Sequence, residues 1–136
     1  MTDFFVYGTL QIPEVFQAVT GRLAPAEPAR LAEHARYRLK GLTYPGLVAE
    51  PGAVTEGLLF RRLGPEEVAR LDAFEDDFYE RPAVSVTTLA GETVRAETYV
   101  IPAASRSRID PCPWSLDEFR RQSLPSFLDR CRAAGP

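Results

Sequence analysis

Two short segments of this chain bring together residue types that can bind an anion and move a proton. The first is Tyr7-Gly8-Thr9-Leu10. A glycine directly after a buried strand lets the backbone turn sharply and present successive N–H groups on one side. Such a nest, set just before a helix, suits a carboxylate or another anion. A plain glycine turn is the competing reading, because such turns are common and the motif is short.

The second is the acidic run Leu71-Asp72-Ala73-Phe74-Glu75-Asp76-Asp77-Phe78-Tyr79-Glu80-Arg81. Acid runs are usually solvated faces. Here Phe74, Phe78 and Tyr79 are interleaved with the acids and call for burial. A carboxyl held beside aromatic rings and near other carboxylates acquires a raised pKa, which suits proton transfer near neutrality. Glu75 follows Leu71 by four residues, so it lies near the core face at a helix end. Arg81 is placed to pair with one of the acids, which by itself is a structural role.

Other chemistries find little support. His34 is the only histidine and has no orienting partner that the sequence identifies, so it reads as a surface or turn residue. There is no Gly-x-Ser-x-Gly elbow, no phosphate-binding glycine loop and no zinc-ligand spacing. No metal or cofactor is therefore expected. Cys112, between Pro111 and Pro113, reads as a packed side chain, and Trp114 as an anchor for a C-terminal helix.

Elements that could position these residues follow from periodicity and turn signals. Phe4–Tyr7 reads as a buried strand stopped by Gly8, and Glu14–Thr20 as a short helix opened by Pro13 and closed by Gly21. Short strands are expected near Ala29–Leu31, Arg36–Leu42, Leu47–Ala49 and Thr55–Phe60. Gly64-Pro65-Glu66-Glu67 opens a helix running to Phe74–Glu75, with Val68, Leu71 and Phe74 toward the core. Ala83–Thr88 and Thr93–Ile101 alternate as strands around a turn at Ala90-Gly91-Glu92. Ser105–Pro113 reads as irregular. Ser115-Leu116-Asp117-Glu118 is a capping box for a final helix that Pro125 should break near Ser123-Leu124. The expected architecture is a single α+β domain over residues 1–136, its five to seven short strands curling into a mixed β-barrel flanked by helices.

Bulk properties bound the partners. At 136 residues the chain supports one core. A net charge of −3 disfavours nucleic acid as the main partner, and Lys40 is the only lysine among many arginines, which reads as a compositional background. No apolar run approaches the roughly 20 residues of a membrane span. The first residues lack the features of a secretory signal, so a cytoplasmic protein with Cys112 and Cys131 reduced is expected.

Taken together, the segments resemble the γ-glutamylcyclotransferase-like superfamily, in its short branch of γ-glutamylamine cyclotransferases and plant avirulence-induced proteins. The resemblance runs through Phe5–Leu10, Pro13-Glu14-Val15, Gly21-Arg22, Gly41–Val48 with its Tyr44-Pro45, Glu56–Phe60, and Leu71–Glu75 with Tyr79 and Arg81. It covers about the first hundred residues in order, and Phe78 stands where the plant-type signature has an acid. It implies a small barrel, a backbone cradle at Gly8, Thr9 and Leu10 for the α-carboxylate of a γ-glutamyl group, and Glu75 as the catalytic acid and base. Tyr7 and Tyr79 would line the pocket, and Arg81 would support the acidic loop. The implied reaction closes the α-amino group onto the γ-carbonyl, releasing 5-oxoproline and an amine without a cofactor. The partner is thus a small γ-glutamyl molecule, its amine and the oligomeric state being left open. The rival readings are a non-catalytic module that binds a small carboxylate on the same fold, and an interaction domain with Glu75 exposed and paired to Arg81.

Overall fold

The computed structural model describes residues 1–134, with side chains through Asp129. Strand β1 (Thr2–Val6) runs through the centre, and its aromatic and β-branched run is buried on both faces. Phe4 and Val6 point to one side, into a cluster under the helices. Phe5 and the following Tyr7 point to the other, with Leu31, Leu47, Leu59 and Val86. This period of two explains why one short strand serves two cores.

The remaining strands are β2 (Ala26–Leu39), β3 (Pro45–Leu63), β4 (Ala83–Thr88), β5 (Thr93–Glu97) and β6 (Ile109–Pro113). They form one mixed sheet of order β3-β1-β5-β4-β2-β6. β1 is antiparallel to β3, with Phe5 opposite Leu59, and parallel to β5, with Phe4 opposite Glu97. Because β2 also pairs with β3, the first five strands of that order close into a ring, and β6 extends from β2. Helices α1 (Pro13–Thr20), α2 (Pro65–Phe74), α3 (Leu116–Gln122) and α4 (Leu124–Ala134) complete the α+β architecture. Val15, Phe16 and Val19 form the buried face of α1, and Phe16 stacks on Phe60 at 4.1 Å.

Three expected features differ in the structure. The four short strands between residues 29 and 60 are two long ones. Glu33 at φ 62° and Gly52 at φ 83° mark a break where the pairing jumps from Ala32–Val54 to His34–Ala49. A bulge interrupts the ladder but does not end either strand, because the two continue as partners beyond it. Thr93–Ile101 is strand only to Glu97; Thr98 then leaves the ladder and Val100 forms an isolated bridge with Glu80. Ser105–Pro113, read as irregular, holds part of a 3-10 helix over Ala103–Arg108 and then β6. Pro111 and Pro113 are tolerated there because β6 is an edge strand.

The C-terminal break falls at Ser123, as Pro125 requires. Ser115 caps α3 by accepting from the Glu118 N–H, but the Glu118 carboxylate turns to Arg38 at 2.7 Å instead of completing the box. Trp114 is buried against Phe119 and donates to the Thr43 carbonyl at 2.7 Å, so it does tie α3 to the sheet. Cys112 is exposed and free, not packed as expected, because edge-strand β6 turns it outward. The side chain of Cys131 lies outside the described residues. His34 sits on the broken part of β2, with Nδ1 against the Ala32 carbonyl. Among the described residues no helix is long and apolar enough to cross a membrane.

Candidate active site

A pocket of about 100 Å³ lies where the end of β1, the end of α2 and the start of β3 meet. Its walls include Tyr7, Gly8, Thr9, Leu10, Glu75 and Tyr79, so every site residue expected from the sequence reaches one cavity. The chain brings together segments some 65 residues apart because β1 and α2 pack into the same core through Phe4, Val6, Val68 and Leu71.

After Val6 the chain leaves the ladder and makes a 3-10 turn, Thr9–Gln11, before α1. The Gly8 carbonyl accepts from the Gln11 N–H at 3.1 Å and from its side chain at 3.3 Å; the Thr9 carbonyl accepts from Ile12 N–H at 3.1 Å. Among the described residues no acceptor meets the N–H groups of Gly8, Thr9 and Leu10, as befits the first turn of a helix. Glycine is required at position 8 by space. Its backbone has a φ of −126°, not a left-handed value, and an added Cβ would stand 2.8 Å from the ring of Pro45.

Glu75 is the C-terminal cap of α2, its N–H bonded to the Leu71 carbonyl at 3.0 Å. Its side chain lines the pocket with the Tyr7–Leu10 turn and is partly buried, whereas Glu66, Asp72 and Ala73 are exposed. No hydrogen-bond partner among the described residues meets the carboxylate, and its oxygens open to the pocket. Burial raises this carboxyl from its ordinary 4.5 to about 8, and the charges of Asp76 and Asp72 add to the rise. As a residue Glu75 is only partly buried, because one side faces the pocket; the surrounding protein desolvates the others.

Tyrosines and acids frame this carboxyl. Tyr7 donates to the Tyr99 carbonyl at 2.7 Å, Tyr99 to Asp72 at 2.7 Å, and Tyr79 to the Pro45 carbonyl at 2.7 Å. Tyr44 donates to Asp76. Burial holds the phenols of Tyr7, Tyr79 and Tyr99 above their ordinary range, with the negative field of Glu75 contributing to each, so all three remain neutral donors. Arg81 pairs with Asp72 and, through Nε at 2.9 Å, with Glu97. It therefore braces the acidic segment and leaves Glu75 unpaired, contrary to the interaction-domain expectation.

Tyr44, Pro45, Asp76, Tyr99 and Phe127 also line the pocket, and none of them carried a site role in the sequence reading. The Tyr44-Pro45 pair was visible as part of the family resemblance. Nothing in the local pattern around Tyr99 distinguishes it from any aromatic residue beside a strand.

An unpaired, desolvated carboxyl and a turn with acceptor-free N–H groups thus line one small pocket beside a mixed sheet. The family model described as Gamma-glutamyl cyclotransferase, AIG2-like matches residues 4–116, and the chain belongs to that family. It is 33% identical over 130 residues to AIG2-like protein C of Arabidopsis thaliana, covering 93% of this chain and 73% of that protein. A solution structure of an Arabidopsis thaliana protein superposes with a TM-score of 0.71 at 31% identity, over 98% of this chain and 81% of that one. A structure called gamma-glutamyl cyclotransferase superposes with a TM-score of 0.67 over 97% of this chain and 86% of its own; at 16% identity it shows a common fold.

Proposed function

We propose that the chain is a cyclotransferase acting on γ-glutamyl amides, releasing 5-oxoproline and a free amine. The observation that carries this reading is the partnerless Glu75 carboxyl opening into the same pocket as the acceptor-free N–H groups of Gly8, Thr9 and Leu10. The N–H groups hold the substrate's α-carboxylate, which leaves the α-ammonium group toward Glu75 and the negative field of Asp72 and Asp76.

The α-ammonium group has an ordinary pKa of about 8, close to that of Glu75, so a proton passes between them at little cost. Once the amine is neutral, its nitrogen attacks the γ-carbonyl carbon and a C–N bond forms. The tetrahedral intermediate collapses as the amide C–N bond breaks: the Glu75 proton passes to the departing nitrogen, and the carboxylate so freed takes the surplus proton from the ring nitrogen and passes it to the released amine. One carboxyl thus serves as base and then as acid. Fixing the carboxylate end and the aliphatic chain between Tyr7 and Tyr79 makes ring closure largely a matter of positioning. No step requires a metal or cofactor.

The test is a panel of γ-glutamyl-amino acids, γ-glutamyl-lysine-like isopeptides and γ-glutamyl amines, with products read by mass. The expected result is 5-oxoproline and amine in equal amounts, the best substrate naming the amine. Free glutamate in place of 5-oxoproline would mean that water, not the α-amino group, is the nucleophile. Binding of panel members without product would support the carboxylate-binding module.

A further inference from the structure

Arg36 lies behind the cradle, on β2, and does not line the pocket. Its Nη1 donates to the Tyr7 carbonyl at 2.7 Å and to the Glu56 carbonyl at 3.2 Å. These two carbonyls face the gap where β1 and β3 part, just beyond their last pair, Val6–Leu58. The guanidinium lies 5.5 Å from the Trp114 ring centre, and among the described residues no carboxylate forms an ion pair with it. Burial pulls it below its ordinary pKa. A half-buried cation satisfied mainly by backbone carbonyls is costly, and packing alone would favour an apolar side chain here.

The Tyr7 carbonyl and the Gly8 N–H belong to one planar trans peptide and point in opposite directions. A cation fixed on the carbonyl side therefore directs the N–H away from itself, and Gly8 lies on the pocket wall. The same contact withdraws electron density through the amide and makes the Gly8 N–H a stronger donor. The Gln11 contacts to the Gly8 carbonyl fix the next peptide plane, and with it the Thr9 N–H. We propose that Arg36 is a positioning residue of the cradle, clamping the Tyr7–Gly8 peptide so that the Gly8 N–H is aimed at and strengthened for the substrate carboxylate. Only the identity of the ligand rests on the γ-glutamyl reading.

The experiment compares 15N-labelled wild type, Arg36→Met and Arg36→Lys, first alone, then titrated with 5-oxoproline, alongside steady-state kinetics on the best panel substrate. The Gly8 nitrogen reports hydrogen bonding at the carbonyl that shares its peptide. In Arg36→Met its resonance should move in the ligand-free protein, and 5-oxoproline affinity should fall about ten- to a hundredfold, as for loss of a charge-assisted hydrogen bond. KM should rise by a similar factor with kcat changed less than about threefold, because the carboxylate contact is made equally in ground and transition states. Arg36→Lys keeps the cation on a shorter stem and should recover part of the loss. A merely structural role would lower the active fraction, reducing kcat at constant KM. An unmoved Gly8 resonance with unchanged KM would overturn the proposal. If Arg36→Met does not fold, the lysine variant carries the same readouts. A wild type that neither binds 5-oxoproline nor turns over would sink the γ-glutamyl reading, while the Gly8 resonance would still decide whether Arg36 holds the peptide.

Discussion

Replacing Glu75 by Gln should stabilise the protein, and by an amount that grows with pH. The raised pKa sets the sign. Below 4.5 the carboxyl is protonated in folded and unfolded chains alike, and it contributes no difference. As pH rises toward about 8, the unfolded chain ionises freely while the folded one resists, so stability is lost across that window. At about 1.4 kcal/mol per pH unit, the span from 4.5 to about 8 sets a ceiling near 5 kcal/mol. The carboxyl opens to water on its pocket side, so the effect realised should be on the order of 1–3 kcal/mol. Glutamine has the same shape and does not titrate. Urea midpoints for both proteins at several pH values between 4 and 9, read with a common slope, isolate Glu75 and its coupled neighbours, because groups distant from it titrate alike in both. A difference of constant size would show that Glu75 ionises normally, and a Glu75→Gln variant that becomes the less stable protein at high pH would show a carboxylate favoured by folding; either would mean that its desolvation has been misjudged.

Asp76→Asn removes a negative charge that raises Glu75 while keeping an acceptor for Tyr44, so the acidic limb of kcat/KM should move down by roughly half to one pH unit. The substrate's own amino group would leave that limb in place, which the pH profile distinguishes. Gly8→Ala puts a methyl group 2.8 Å from Pro45 and should cost about 1–3 kcal/mol by thermal or urea unfolding while raising KM. Gly57→Ala drives a methyl group into the Val6 carbonyl, inside the β1–β3 contact that delivers the cradle, and should destabilise more than Gly8→Ala in the same assay.

Much of the candidate site's lining was legible because its two halves carry dense local signals. Gly8 interrupts a buried aromatic strand, and Glu75 stands one helical turn beyond Leu71 among residues that demand burial. The long strands were not, because Pro28, Pro51 and Gly52 read as breakers when their partners across the hairpin are unknown. Pairing between β2 and β3 decides their length, and pairing is non-local. Gly8 was expected to serve a turn, whereas Pro45, thirty-seven residues away, makes glycine necessary. Arg36 was hidden for a similar reason. In a chain where arginine is the general cation, only the fold distinguishes one guanidinium on the Tyr7 carbonyl from those paired on the surface.

Whether the Glu75 carboxyl moves the protons of ring closure decides the rest. Single-turnover release of 5-oxoproline from the best panel substrate, wild type against Glu75→Gln, asks this directly. Loss of the general acid and base should slow the variant by about a hundred- to ten-thousandfold while it stays folded and binds substrate within a few fold. Equal rates from the two proteins would mean that another group carries the protons and that Glu75 is only a buried acid.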